Sequence, residues 1–170
     1  RAYVESSAAG HAGLDLTLGV AGSLLHAALL LDLAAEAPEV AAAPLRGLGE
    51  DLRRDLWERI EAMPPIRRSD VGHLGIAHGW AGFLYALLHW SRASGTGPPD
   101  GITERLEQLA GLAEPAGRGL SWPWRMDAPS AGPNHMPGWC NGSAGHVFLW
   151  TLAARALEDD RHLELAEGAA

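Results

Sequence analysis

Three side chains of this 170-residue chain combine a reactive type with a recurrent position. Cys140 is the single cysteine and lies two residues before a glycine, while His78 directly precedes Gly79 and Asp15 lies four residues before Gly19. A thiol can bind a metal or act as a nucleophile, and an imidazole exchanges protons near neutral pH. A carboxylate can accept or orient a proton. These residues therefore indicate thiolate or metal chemistry coupled to proton transfer, provided that the fold brings them together.

A short sequence repeat follows each of these residues. The pattern Gly-x-Ala-Gly occurs three times, at residues 19–22, 79–82 and 142–145, and each copy opens an apolar helical run. The copies are 60 and 63 residues apart, and self-similarity at a nearly fixed period is typical of repeat architectures. We therefore predict three repeat units, at about residues 1–63, 64–114 and 115–170.

Each unit has the pattern of a helical hairpin. Apolar helices are predicted at about residues 21–37, 81–94 and 144–157, and each is followed by a more amphipathic helix. In unit one the second helix carries apolar residues at three- and four-residue steps, namely Leu45, Leu48, Leu52, Leu56 and Ile60. In unit two it is marked by Ile102, Leu106 and Leu109, and in unit three it covers about residues 159–170.

The hairpins predict an all-α protein, because no stretch alternates with period two over a useful length. Two kinds of helix indicate two layers, with inner helices buried all round and outer helices that keep one wet face. Stacked hairpins form a solenoid or a closed ring. In a ring, the small residues would let the inner helices approach closely and direct their N-termini toward one central cavity.

Cys140 is predicted close to the N-terminus of an inner helix. The partial positive charge there favours the thiolate form of the side chain over the thiol. Taken alone, Cys140 could be a small buried hydrophobic residue and His78 a core histidine. Their equivalent places in the repeat favour a shared cavity instead. Of the other histidines, His26, His89 and His162 are predicted on helix faces and His11, His73 and His135 in loops, while His146 is close to Cys140 in sequence without a recognised ligand spacing.

A long connection interrupts the compact pattern at residues 114–141. It contains five prolines and the tryptophans Trp122, Trp124 and Trp139. Loops of this length are usually functional or disordered, and the tryptophans argue against disorder. Two interpretations remain open: an Ω-like loop that packs its own aromatic side chains, or a lid that contacts substrate.

Composition excludes several classes of function. The chain has 13 basic and 21 acidic residues and a net charge of -8, which argues against a nucleic-acid partner. Its longest apolar run is too short and too interrupted to cross a membrane. A single cysteine excludes an intrachain disulfide framework and fits a cytoplasmic location.

The motifs resemble those of a known family. Residues 75–79, Gly-Ile-Ala-His-Gly, and residues 139–145, Trp-Cys-Asn-Gly-Ser-Ala-Gly, resemble signatures of the LanC-like lanthionine synthetase cyclases. Residues 15–19 are similar to the Asp-containing opening of that family one unit earlier, so the resemblance covers all three repeats. It implies an α/α toroid, of which this chain would form about three hairpins of an incomplete ring.

The resemblance also implies an activity and a set of site residues. A cysteine thiol of a ribosomal precursor peptide would add to dehydroalanine or dehydrobutyrine and form lanthionine or methyllanthionine. Cys140 would be a ligand of a zinc ion, while His78 and Asp15 would serve proton transfer, with His78 protonating the enolate. The family's other two zinc ligands lie in a Cys-His-Gly motif one unit later, which this sequence lacks. We therefore expect the remaining ligands outside this chain.

On this interpretation residues 1–170 are a partial LanC-like cyclase domain that acts on a precursor peptide, and the resemblance implies kinase, lyase or dehydratase domains of a larger synthetase as further partners. Three alternatives remain. The first is a non-catalytic helical-repeat scaffold that binds a peptide in its concave face. The second is a toroidal glycan hydrolase, for which Asp15 alone does not supply the two carboxylates required. The third is a thiol transferase with Cys140 as nucleophile and His78 as its base.

Overall fold

A computed structural model describes residues 13–37, 42–127 and 134–170 of the chain. Six α-helices lie in these ranges: α1 (Val20–Glu36), α2 (Ala42–Glu61), α3 (Trp80–Ser94), α4 (Ile102–Ala110), α5 (Ser143–Leu157) and α6 (Arg161–Ala169). A 3-10 helix covers Ile66–Arg68, and two short strands cover Glu114–Ala116 (β1) and Gly119–Ser121 (β2). The mostly helical structure confirms the all-α prediction, whereas the toroid stays a prediction.

The three apolar helices begin at equivalent places. Helices α1, α3 and α5 each start one residue before the predicted position, directly after the first glycine of a Gly-x-Ala-Gly motif. The turn before each helix repeats the same backbone hydrogen bond of 3.0 Å, from Gly19 to Asp15, from Gly79 to Gly75 and from Gly142 to Gly138. The sequence repeat is therefore also a repeat of backbone conformation.

Close approach explains the second glycine of each motif. A Cβ atom at these positions would collide with a carbonyl oxygen in the turn of the same unit, at Gly22 with Leu16, at Gly82 with Ile76 and at Gly145 with Trp139. Neighbouring units also meet here, because a Cβ at Gly145 would contact the Ile76 side chain. Only a residue without a side chain lets the turn fold back onto the helix at these distances.

The apolar helices form a row in which α1 packs against α3 and α3 against α5, while α2 and α6 cover α1 and α5. The middle helix α3 supplies more of the largest buried side chains than any other helix, among them Trp80, Phe83 and Trp90. The expectation of inner helices buried all round holds best for α3, whereas α1 and α5 expose apolar side chains, as expected for helices at the open ends of the row. Leu33 of α1 and Phe148 of α5 are each 51% exposed, because each of these helices has only one inner neighbour among the described residues.

The predicted amphipathic pattern of α2 is confirmed. Its residues Leu45, Leu48, Leu52, Leu56 and Ile60 are all buried.

Only one of the three histidines predicted on helix faces is exposed. His26 is exposed as expected for a helix face, but His89 and His162 are buried, and His11 lies outside the described residues.

The long connection contains a hairpin that the sequence did not predict. Strands β1 and β2 pair antiparallel with Glu114 opposite Ser121, and Gly117 adopts a φ of 61° in the turn. Strands of three residues are too short to show an alternating pattern. Trp122 is fully buried and donates its indole N–H to the carbonyl of Leu109 at 2.9 Å. The loop therefore packs one of its own aromatic side chains, while residues 128–133 lie outside the described ranges.

Among the described helices, none has the length and apolar character needed to cross a membrane.

Candidate functional site

The turns that precede the three apolar helices lie side by side at one end of the helix row. The amide of Leu16 donates to the carbonyl of Ala77 at 3.0 Å, and the amide of Ala77 donates to the carbonyl of Cys140 at 2.9 Å. These two hydrogen bonds join unit one to unit two and unit two to unit three. Residues just before each first glycine are therefore brought to a common surface.

Asp15 is fixed at this surface by its own turn. One oxygen, Oδ1, accepts hydrogen bonds from the amides of Thr17 and Leu18 at 2.9 and 2.7 Å and from the Thr17 hydroxyl at 2.6 Å. Partial burial opposes ionisation, but these hydrogen bonds and the nearby His78 outweigh it and lower the pKa of Asp15 below its usual value. Asp15 is therefore a carboxylate at neutral pH.

His78 is exposed and reaches Asp15 through Thr17. Its Nδ1 lies 3.3 Å from the Thr17 hydroxyl oxygen. A threonine hydroxyl has one proton, and in this structure it is donated to Asp15, so the oxygen can only accept from Nδ1–H. The neutral ring then carries its proton on Nδ1 and leaves Nε2 as the basic atom.

A second histidine accompanies the first. The rings of His73 and His78 are 6.3 Å apart between centroids, and the Trp124 ring lies 5.5 Å from His73. Burial, together with the charges of Arg125 and His78, lowers the pKa of His73 despite the opposing charge of Asp127. His73 is therefore neutral at pH 7, and its buried Nδ1 has no hydrogen-bond partner among the described residues.

The long connection reaches this surface through residues 124–127. The amide of Leu74 donates to the carbonyl of Trp124 at 3.2 Å. The Arg125 guanidinium lies 5.4 Å above the Trp124 ring and forms a bidentate pair with Asp127 at 2.6 and 2.7 Å. An aromatic ring and an oriented cation therefore flank His73.

Cys140 is exposed, and its turn adjoins the turn of unit two. A Cβ on Gly75 would collide with the backbone of Asn141 and Cys140, so only glycine permits this contact. Among the described hydrogen bonds none joins the Cys140 thiol to His78, whose side-chain partner is Thr17. The described residues also contain no group of three or more His, Cys, Asp or Glu side chains that could hold a metal ion.

Sequence reasoning selected Asp15 and His78, and the structure connects them, but it overlooked Thr17, the residue that forms the connection. Thr17 lies two residues before Gly19, and Cys140 lies two residues before Gly142. Comparing positions across the repeat aligns these two residues, but a threonine hydroxyl does not by itself indicate a reactive group, so the comparison did not select Thr17. His73 was assigned only to a loop, and nothing in its local sequence indicates its proximity to His78.

Comparison with known proteins agrees with the motifs. The family model described as "Lanthionine synthetase C-like protein" matches residues 4–170, and a search of curated proteins finds no match. The matched range includes all three Gly-x-Ala-Gly turns, the Asp15 and His78 array and Cys140. From this match over nearly its whole length, the chain belongs to the lanthionine synthetase C-like family.

Proposed function

We propose that this chain takes part in lanthipeptide cyclisation and that Asp15, Thr17 and His78 carry its proton transfer. Family membership supports a cyclase-type function in general and precursor peptides as the general substrate class. The observation that supports the finer proposal is the continuous array from the Asp15 carboxylate through the Thr17 hydroxyl to Nδ1 of His78. Such an array leaves Nε2 of an exposed histidine available to a bound peptide.

The proposed reaction is an internal addition that neither gains nor loses atoms. The sulfur of a peptide cysteine bonds to the β-carbon of dehydroalanine or dehydrobutyrine, and the electrons of the double bond move toward the peptide carbonyl. The thiol proton leaves to Nε2 of His78, and the resulting imidazolium returns a proton to the α-carbon of the enolate. The product is a thioether ring with the mass of the linear peptide.

Asp15 lies on the Nδ1 side of the His78 imidazole and assists the proposed proton transfer. When Nε2 takes a proton, His78 becomes positive, and the negative charge of Asp15 stabilises it through Thr17. Because the Thr17 hydroxyl keeps its proton directed at Asp15, the orientation of the ring is the same in both protonation states. Thr17 is therefore a positioning residue, while His78 contacts the reacting atoms.

The family's zinc ion is only partly accommodated by the residues described. Cys140 is an exposed thiol and a suitable soft ligand, but a catalytic zinc site uses about three protein ligands. No such cluster is present in the described part of the chain, so these residues do not by themselves fit the ion. We propose Cys140 as one ligand, with the remaining ligands outside the described residues.

The direct test uses a peptide that contains one dehydroalanine and one cysteine. Cyclisation leaves the mass unchanged but removes the free thiol, so alkylation followed by mass spectrometry counts the uncyclised fraction. We expect the chain, or a larger protein that contains it, to accelerate the loss of free thiol. His78→Gln and Asp15→Asn should slow it, whereas Asp100→Asn, at an exposed turn, should not. Equal rates for all three variants and the wild type would contradict the assignment.

A second candidate function is a peptide-binding scaffold without catalysis. The observation that favours it is the absence of a metal-holding cluster from the described residues. On this alternative the same peptide would bind the chain but keep its free thiol, even with zinc present. The thiol transferase alternative is weaker, because the described hydrogen bonds pair His78 with Thr17 rather than with Cys140.

A further inference from the structure

A groove between α3 and α5 has no role in the proposed cyclisation. Its cavity has a volume of about 430 Å³. The α3 side supplies Tyr85, His89 and Arg92, and the α5 side supplies mainly Phe148, Thr151 and Arg155. Neither Asp15, Thr17 nor His78 is among the lining residues, so the groove is separate from the candidate site.

Equivalent positions of the repeat do not all carry the same charge on the three apolar helices. Asp32, Arg92 and Arg155 each lie 13 residues after the first glycine of their motif, at 19, 79 and 142. Between α1 and α3 the equivalent pair is complementary, since Arg92 donates to Asp32 at 2.7 Å. Between α3 and α5 the equivalent pair is Arg92 and Arg155, which are both cations. The second interface therefore lacks the carboxylate that the first one contains.

The surroundings leave the groove positively charged. Arg155 is exposed, and no carboxylate of the described residues forms an ion pair with it. His89 adds no charge of its own, because burial and the nearby Arg92 lower its pKa despite the opposing charge of Asp32, so the ring is neutral at pH 7. Asp32 compensates the charge of Arg92 across the neighbouring interface, so the uncompensated cation of the groove is Arg155.

We propose that this groove binds a peptide carboxylate, an aspartate or glutamate side chain with an apolar neighbour, between the guanidinium groups of Arg92 and Arg155. Guanidinium groups bind carboxylates in a bidentate geometry. The hydroxyls of Tyr85 and Thr151 can donate further hydrogen bonds. The carboxylate of such a ligand would supply, between α3 and α5, the negative charge that Asp32 supplies between α1 and α3.

The apolar wall distinguishes a peptide from a simple anion. Phe148 is 51% exposed and lines the groove together with Val147 and Leu152. Covering exposed apolar surface is favourable, at about 25 cal/mol for each Å² removed from water. A bare anion would leave this wall uncovered, whereas an apolar residue next to the acidic one would cover it.

The test is a calorimetric titration of the full chain with capped tripeptides. Leucyl-glutamyl-leucine is the probe and leucyl-glutaminyl-leucine its uncharged match, with acetate as the free-anion arm. We expect the glutamyl peptide to bind about tenfold more tightly than the glutaminyl one, the order expected for one charge-assisted contact. Added salt should weaken this preference. Arg155→Gln should abolish it, and Arg68→Gln, an exposed arginine outside the groove, should keep it.

Arg155→Glu separates loss of the site from loss of the fold. A carboxylate at this position would pair with Arg92 as Asp32 does, so the variant should unfold at the same or a higher temperature while losing affinity for the glutamyl peptide. Three results would overturn the proposal: equal affinity for both peptides, no binding of either at millimolar concentration, or unchanged binding by Arg155→Gln. Acetate binding as tightly as the glutamyl peptide would overturn the assignment to a peptide. None of these measurements depends on cyclisation.

Discussion

Thr17 donates its hydroxyl proton to the carboxylate of Asp15 across 2.6 Å, within a single turn of the chain. This bond leaves the Thr17 oxygen only as an acceptor toward the second unit of the repeat. A local hydrogen bond in unit one therefore determines which nitrogen of His78 carries the proton.

The first prediction concerns the hydroxyl of Thr17. Thr17→Val removes the hydroxyl while keeping the branched shape, whereas Thr17→Ser keeps the hydroxyl. We expect Thr17→Val to raise the pKa of Asp15 toward its usual value, because one of the hydrogen bonds that lower it is lost. It should also reduce the fraction of His78 with its proton on Nδ1. Carboxyl and imidazole chemical shifts measured against pH report both effects.

The serine variant provides the control for that experiment. Thr17→Ser should resemble the wild type in both shifts and in the rate of thiol loss from the dehydrated peptide. If Thr17→Val left the tautomer of His78 unchanged, Thr17 would not be a positioning residue, whatever the effect on activity.

The second prediction compares two glycines in helices. A Cβ at Gly82 would collide with the carbonyl of Ile76, whereas a Cβ at Gly47 in α2 would meet nothing within 4 Å. Gly82→Ala should therefore lower the free energy of unfolding by about 1–3 kcal/mol, as overpacking does. Gly47→Ala should raise it by about 0.5–1 kcal/mol, because alanine favours a helix. Chemical denaturation of both variants measures the two values, and opposite signs are expected.

The third prediction concerns His146, which stacks on Trp122 with centroids 4.3 Å apart. Both ring nitrogens are buried without a hydrogen-bond partner among the described residues. Burial lowers the pKa of His146 from 6.5 to about 3. As the pH falls, the unfolded chain therefore protonates its histidine before the folded chain protonates His146. The free energy of unfolding is highest above pH 6.5 and decreases from pH 6.5 down toward pH 3.

Each such proton reduces the free energy of unfolding by about 1.4 kcal/mol per pH unit in that range. His146→Phe keeps a ring against Trp122 but cannot bind a proton, so its stability should fall less steeply between these pH values. Denaturation of both proteins across the range measures the difference in slope. Parallel slopes would show that His146 is not buried as a neutral ring.

The fourth prediction concerns the Cys140 thiol. Because Cys140 is exposed, a disulfide reagent should modify the native chain without denaturant, and Cys140→Ser should abolish the reaction. Zinc should give little protection to the chain alone, because the described residues supply no cluster of donors around this thiol. Strong protection at one zinc per chain would instead show that residues outside the described ranges complete a site.

The sequence was informative wherever a pattern reports a local preference. The three Gly-x-Ala-Gly copies predicted the starts of α1, α3 and α5 to within one residue, and the motifs around His78 and Cys140 predicted the family. The hairpin of β1 and β2 was missed because its strands are too short to show a period. Leu33 and Phe148 lie on apolar helices and are nevertheless half exposed, because burial depends on which helices are neighbours, and composition does not reveal that.

The sequence by itself determined the helical repeat, because glycine positions and apolar spacing act within a few residues of the chain. It also selected Asp15, His78 and Cys140 as candidate reactive side chains. Only the tertiary structure decided that Thr17 connects Asp15 to His78 and that His73 and Trp124 lie beside them. It likewise decided that Arg92 faces a carboxylate on one side and a second arginine on the other. These are contacts between units about 60 residues apart, and their geometry depends on how the helices pack rather than on any local pattern.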